Sequence, residues 1–128
     1  MRFHHIGIAS DFQNKVPALA KLLESKLTNF FTDHAQGVKG CFLSIPGSDG
    51  FLEFLEELPD SKVLDPWKSR GAFIYHIAFE VENLEKAIER AKLFGSYTVS
   101  PPTLAVAFPG RSVAFIFIDG VLVEFIGN

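Results

Sequence analysis

Two histidines and two glutamates stand at matched positions in this chain, and they are the side chains best placed to do chemistry. His5 precedes Glu53 by 48 residues, His76 precedes Glu124 by the same interval, and the two pairs are offset by 71 residues. That offset also relates His5-Ile6 to His76-Ile77, Lys15 to Lys86, Ala20-Lys21-Leu22 to Ala91-Lys92-Leu93, Ile45 to Ile116, and Glu53-Phe54 to Glu124-Phe125. A duplicated unit of this kind usually folds as two similar modules about a pseudo-twofold axis, so equivalent residues can converge on one point. Two imidazoles and two carboxylates make a good donor set for a first-row divalent metal, with one or two coordination positions left for water or substrate.

Taken singly, a histidine in an apolar strand is more often a hydrogen-bonded core residue than a ligand. The glutamates are odder. Glu53 lies between Leu52 and Phe54, and Glu124 between Val123 and Phe125. Alternate residues of a strand share a face, so Glu53 keeps company with Phe51 and Leu55, and Glu124 with Leu122 and Ile126. A carboxylate rarely enters such surroundings unless it is paired or bound to a metal.

The elements that would carry these residues follow from periodicity and turn chemistry. Phe3 to Ala9 reads as a strand, and the helical spacing of Val16, Leu19, Ala20, Leu22, Leu23 and Leu27 predicts a helix over 15–27 with Asn14 as its N-cap and Pro17 in its first turn. Strands are expected near 29–32, over 38–45 and over 51–57, the last two joined by Pro46-Gly47-Ser48-Asp49-Gly50. The second module repeats the order: a strand over 73–81, a helix capped by Asn83 and ended by Gly95, a short strand near 97–99, and two long strands joined at the hairpin signal Asp119-Gly120. The expected fold is therefore α+β: two tandem βαβββ modules with pseudo-twofold symmetry, forming a curved mixed sheet around a metal cleft. It is read as a single domain over 1–128, with module one at about 1–58, a crossover at about 59–71 and module two at about 72–128.

Composition narrows the function classes. The 128 residues are 48% hydrophobic with 14 Phe, carry a net charge of −3 and contain a single cysteine, Cys41. One cysteine cannot form an internal disulfide or a thiolate cage, which leaves His and carboxylate as metal ligands. With acidic and basic residues interspersed there is no footprint for nucleic acid. No apolar run approaches the ~18 residues of a membrane span, and the N-terminus shows no signal-peptide pattern. The reading is a cytoplasmic protein without a membrane partner. The apolar excess and the many Phe point to a homodimer.

Several segments together resemble the vicinal oxygen chelate superfamily, which includes glyoxalase I, methylmalonyl-CoA epimerase, extradiol dioxygenases and bleomycin- or fosfomycin-resistance proteins. They are Phe3-His-His-Ile-Gly-Ile-Ala9, Gln36-Gly-Val38, Phe51-Leu-Glu-Phe-Leu-Glu-Glu-Leu58, Tyr75-His-Ile-Ala-Phe-Glu-Val81 and Gly120-Val-Leu-Val-Glu-Phe125. The family's four ligand positions fall on His5, Glu53, His76 and Glu124, a set similar to that of glyoxalase I, whereas Gln36-Gly-Val38 and the stretch from Lys62 to Val81 are closer to methylmalonyl-CoA epimerase.

The resemblance implies one divalent metal per site (Zn, Ni, Co or Mn) and proton abstraction next to a carbonyl, with the metal stabilising an enediolate. Glu124 is the first choice for the base and Glu53 the second. Arg70, Arg111 and Gln36 are the candidates for holding a small-molecule substrate that carries vicinal oxygens or a thioester, Arg being suited to carboxylate or phosphate by its fork of donors. Two other activities stay open on the same fold. One is an iron-dependent ring-cleaving dioxygenase, which needs two His and one carboxylate; the other is a non-catalytic binding or resistance protein.

Overall fold

A computed structural model describes residues 1–10, 12–66 and 74–127. The elements run β1 (Arg2–Ala9), α1 (Phe12–Leu22), β2 (Leu27–Asp33), β3 (Val38–Ser44), β4 (Phe51–Glu57), β5 (Ile74–Glu80), α2 (Leu84–Lys92), β6 (Tyr97–Leu104), β7 (Ser112–Ile118) and β8 (Val121–Gly127). The β-α-β-β-β order thus occurs twice. The chain divides into two compact units, a first of His5–Tyr75 and a second of Met1–His4 with His76–Asn128. Among the described residues no helix is long and apolar enough to cross a membrane.

The two units share one topology. Strands lie in the order β2-β3-β4-β1 in the first and β6-β7-β8-β5 in the second. Within each, the pair β1/β4 or β5/β8 is parallel and the remaining pairs are antiparallel, so each unit carries a mixed four-stranded sheet. Each helix covers one face of its own sheet. In the first unit Ala20 of α1 packs on Cys41, Leu43 and Phe54; in the second, Leu84, Ala87, Ile88 and Ala91 of α2 pack on Ala114, Ile116, Val123 and Phe125. The connecting segment after β4 belongs to the first unit, where Leu64 is fully buried beside Ala9, Val38 and Leu55.

The second helix forms where its signals put it. Asn83 has extended backbone angles and its side chain accepts from the Lys86 N–H at 2.8 Å, satisfying a donor that the first turn leaves open. Beyond its end, Ser96 N–H donates to Ala91 C=O and Gly95 N–H to Lys92 C=O, with Gly95 at φ 88°, the Schellman arrangement.

The first helix departs from expectation at both ends. It starts at Phe12, so Asn14 lies inside it rather than capping it, and Pro17 stands in the second turn, where its ring removes one backbone hydrogen bond. It stops at Leu22, and Leu27 is the first residue of β2. The stop is the same one used by α2: Ser25 N–H donates to Ala20 C=O and Glu24 N–H to Lys21 C=O, with Glu24 at φ 52°. Glu24 is the repeat partner of Gly95, and a glutamate gives no hint of a left-handed cap. Strand bounds also shift: β2 spans Leu27–Asp33 rather than 29–32. β6 continues through Pro101 and Pro102 to Leu104, which its position at the sheet edge tolerates. The expected start of β5 at Phe73 lies outside the described residues.

One member of the repeat is not a structural equivalence. Leu43 pairs with Leu52 and Ile116 pairs with Val123, so the counterpart of Ile116 is Leu43, 73 residues away, while Ile45 lies past the end of β3. The β7–β8 turn needs only Asp119-Gly120, both with positive φ, whereas residues 45–50 link β3 to β4. The shorter turn moves the preceding strand by two residues and keeps its facing unchanged.

Replacing Glu24 by Gly removes the strain of a left-handed non-glycine residue, partly offset by the freedom that Gly adds to the unfolded chain. The expected outcome is a gain of about 0.5–1 kcal/mol, read as a higher midpoint in thermal or urea denaturation.

Candidate functional site

Each unit holds one buried His/Glu pair on the sheet face away from its helix. In the first unit the parallel register sets Glu53 beside Gly7, two residues along β1 from His5, and His5 Nε2 lies 3.4 Å from Glu53 Oε1. In the second, Glu124 is beside Ala78, two residues along β5 from His76, and His76 Nε2 lies 3.2 Å from Glu124 Oε2. The four residues are 0–5% exposed. Strand parity explains the placement: Leu52 and Phe54, or Val123 and Phe125, face the helix, so the glutamate between them faces the other way.

An aromatic ring closes each pair. Phe42 is the cross-strand partner of Glu53 and meets the His5 ring edge-to-face at 5.4 Å; Phe115 is the partner of Glu124 and meets His76 at 5.5 Å. Both rings stand on the His/Glu face. Neither is visible as a site residue in the sequence, because the 71-residue offset does not align them and only the hairpin register, at 73, reveals the match. His4 and Tyr75, which precede the paired histidines, pack elsewhere: His4 edge-to-face on Phe108, and Tyr75 on the cluster of Ala9, Val38, Leu55 and Leu64.

The donor separation bears on what the pairs can hold. Two ligand atoms each about 2.1 Å from one cation, subtending 90–109°, are about 3.0–3.4 Å apart. Both observed separations fall in that window, and imidazole with carboxylate is a fitting donor set for a divalent ion. Behind the first pair, on the helix side of the sheet, the Cys41 thiol is pushed up to about 11, chiefly by burial and then by the charges of Glu53 and Glu56. Cys41 is therefore a protonated core thiol at neutral pH.

The other candidates are placed differently. Arg111 donates to Glu80 Oε2 at 3.1 Å and to the Ile126 carbonyl at 3.4 Å; Arg2 donates to Glu80 Oε1 at 2.8 Å. Gln36 is exposed in the turn between β2 and β3, its N–H donating to the buried Asp33 carboxylate at 2.9 Å. Arg70 lies outside the described residues.

This topology, twice repeated, with a buried His/Glu pair on the face of each sheet away from its helix, defines a duplicated α+β fold. The chain belongs to the glyoxalase/bleomycin resistance protein/dioxygenase superfamily, whose family model matches residues 4–115. A solved hypothetical protein from Bacillus halodurans C-125 is similar at 32% identity, over 99% of this chain and 94% of that one, with a TM-score of 0.84. Methylmalonyl-CoA epimerase from Mycobacterium tuberculosis shares the fold at 23% identity, over 98% and 87%, with a TM-score of 0.83. So does a Streptomyces coelicolor methylmalonyl-CoA epimerase variant in complex with 2-nitronate-propionyl-CoA, at 23% identity over 100% and 97%, TM-score 0.83. Among curated proteins none matches.

The Arg2 hydrogen bond, with the charge of Arg111 beside it, holds the Glu80 carboxyl below its ordinary value of 4.5. A lowered folded-state value stabilises the fold above pH 4.5, and this contribution is lost as pH falls below it. Since Arg2 is largely exposed, the gain is small, under about 1 kcal/mol. Glu80→Gln should lower stability by that amount at pH 7, and the difference from wild type should shrink in an acid denaturation series and vanish once pH has fallen through the lowered folded-state value.

Proposed function

We propose that this chain is a metal-dependent enzyme of the glyoxalase type, an isomerase, lyase or epimerase that removes a proton from a carbon next to a carbonyl. The observation that carries the reading is the buried His/Glu pair, which recurs at equivalent strand positions in both units with a separation suited to two donors on one cation. In this reading His5, Glu53, His76 and Glu124 serve one divalent cation of the Zn, Ni, Co or Mn kind. When bound, the cation supplies Lewis-acid stabilisation of negative charge on the substrate's oxygens.

The protein's own residues do the rest. Glu124 takes the proton at a carboxylate oxygen, and Glu53 is the second candidate for that role. The apolar neighbours Phe115, Leu122 and Ile126 keep bulk water from Glu124 and strengthen electrostatic interactions around it. One base is enough for isomerisation, whereas epimerisation needs an acid on the other side of the substrate carbon. The likeness to methylmalonyl-CoA epimerase structures makes an acyl thioester the first substrate class to try. Exposed apolar residues such as Phe30, Tyr97 and Leu104 support a homodimer acting on a small molecule.

Two experiments test this. Metal analysis of purified protein should find about one divalent ion per chain, lost in His5→Ala and in His76→Ala; unchanged metal in both variants sinks the reading. Solvent-deuterium exchange into a panel of acyl thioesters, α-hydroxy and α-keto acids should label the carbon next to the carbonyl. Glu124→Gln should slow that exchange by about 10²–10⁴-fold with its circular dichroism unchanged.

A further inference from the structure

The duplication supplies an internal control on the helix side of the second unit. In the first unit Leu19, Leu23 and Leu27 pack on the cluster that includes Leu43 and Leu52. The matching helix stops, Glu24 and Gly95, put Arg90, Phe94 and Thr98 at the corresponding positions of the second unit. None of the three restores the leucine cover: Arg90 and Thr98 are exposed and Phe94 is 66% exposed. A groove of about 240 Å³, open to solvent, runs beside α2; Phe79, Phe94 and Ile118 are its more exposed apolar lining, Ile116 and Val123 lie buried beneath, the small side chains of Ala87 and Ala91 leave it room, and Arg90 stands at its edge. A second hollow of about 630 Å³ shares Ala87 and Arg90 and adds Lys86 and Glu82, so two cations face one acid beside the apolar groove.

We propose that this groove binds a small amphiphilic anion, with a compact aryl or branched aliphatic group against Phe79 and Ile118 and a carboxylate on Arg90. Filling it removes apolar surface on both sides from water, worth about 25 cal/mol per Å². The replacement of a leucine by arginine at the edge adds the one side chain whose fork matches a carboxylate in two contacts. Val123 and Phe125 face this groove while Glu124 between them faces the opposite side of β8, so the site is separate from the His/Glu face and does not rest on the enzymatic reading.

The test is a methyl-detected NMR titration of the whole protein with 3-phenylpropanoate. Saturable shifts are expected at the Ile116, Ile118 and Val123 methyls, and they should persist in His5→Ala. Arg90→Gln should weaken binding of the carboxylate about tenfold and leave that of 3-phenylpropanamide unchanged, while Ala91→Leu, which fills the groove, should abolish both. Arg90 is exposed, so Arg90→Gln keeps the test intact if Ala91→Leu does not fold. Absence of saturable shifts at these methyls up to the probe's solubility limit, or equal affinity of wild type and Arg90→Gln for the carboxylate, overturns the proposal.

Discussion

A carboxylate on an apolar sheet face is the constraint to which the rest of this fold answers. Desolvating an ionised group costs several kcal/mol unless a partner compensates. Glu53 and Glu124 are each 4–5% exposed, and each has an imidazole within 3.4 Å. That match depends on the parallel pairing of β1 with β4 and of β5 with β8, which sets the histidine two residues from the position beside the glutamate. Parallel neighbours need a long connection between them, and in each unit the helix and the antiparallel hairpin supply it.

The helices hold this geometry from behind. Because Leu52 and Phe54, or Val123 and Phe125, are committed to the helix side, a slip of one residue in β4 or β8 would turn the glutamate into the core and expose two large apolar side chains. Packing on one face therefore enforces chemistry on the other. Duplication has kept this relation while relaxing others: the hairpin turn has shortened by an even shift that preserves facing, and the helix stop uses Glu24 in one copy and Gly95 in the other. The cover over the sheet has changed as well, from Leu19 to Arg90.

Much of this is legible in the chain. The 71-residue repeat, the strand alternation and the oddity of acidic residues amid Leu, Val and Phe locate the four ionisable side chains and their facing. Turn residues place the second helix and the last hairpin, since Asn83, Gly95 and Asp119-Gly120 act through short-range backbone geometry. The first helix differs from its sequence pattern at both ends because its stop uses a glutamate at positive φ and its second turn admits a proline, and neither residue type signals that role locally. Phe42 and Phe115 stay hidden because cross-strand neighbours follow hairpin register, and a two-residue difference in strand offset defeats a search at constant spacing.

The sequence by itself determined which side chains are polar in an apolar setting, their period and the order of elements, because these are local properties of pattern and turn chemistry. Only the tertiary structure decided that Glu53 stands by His5 and Glu124 by His76, that Arg111 is engaged by Glu80, and that the second helix leaves a groove where leucines cover the first. Those outcomes depend on register and on the volumes of side chains far apart in the chain, which become neighbours only when strands pair.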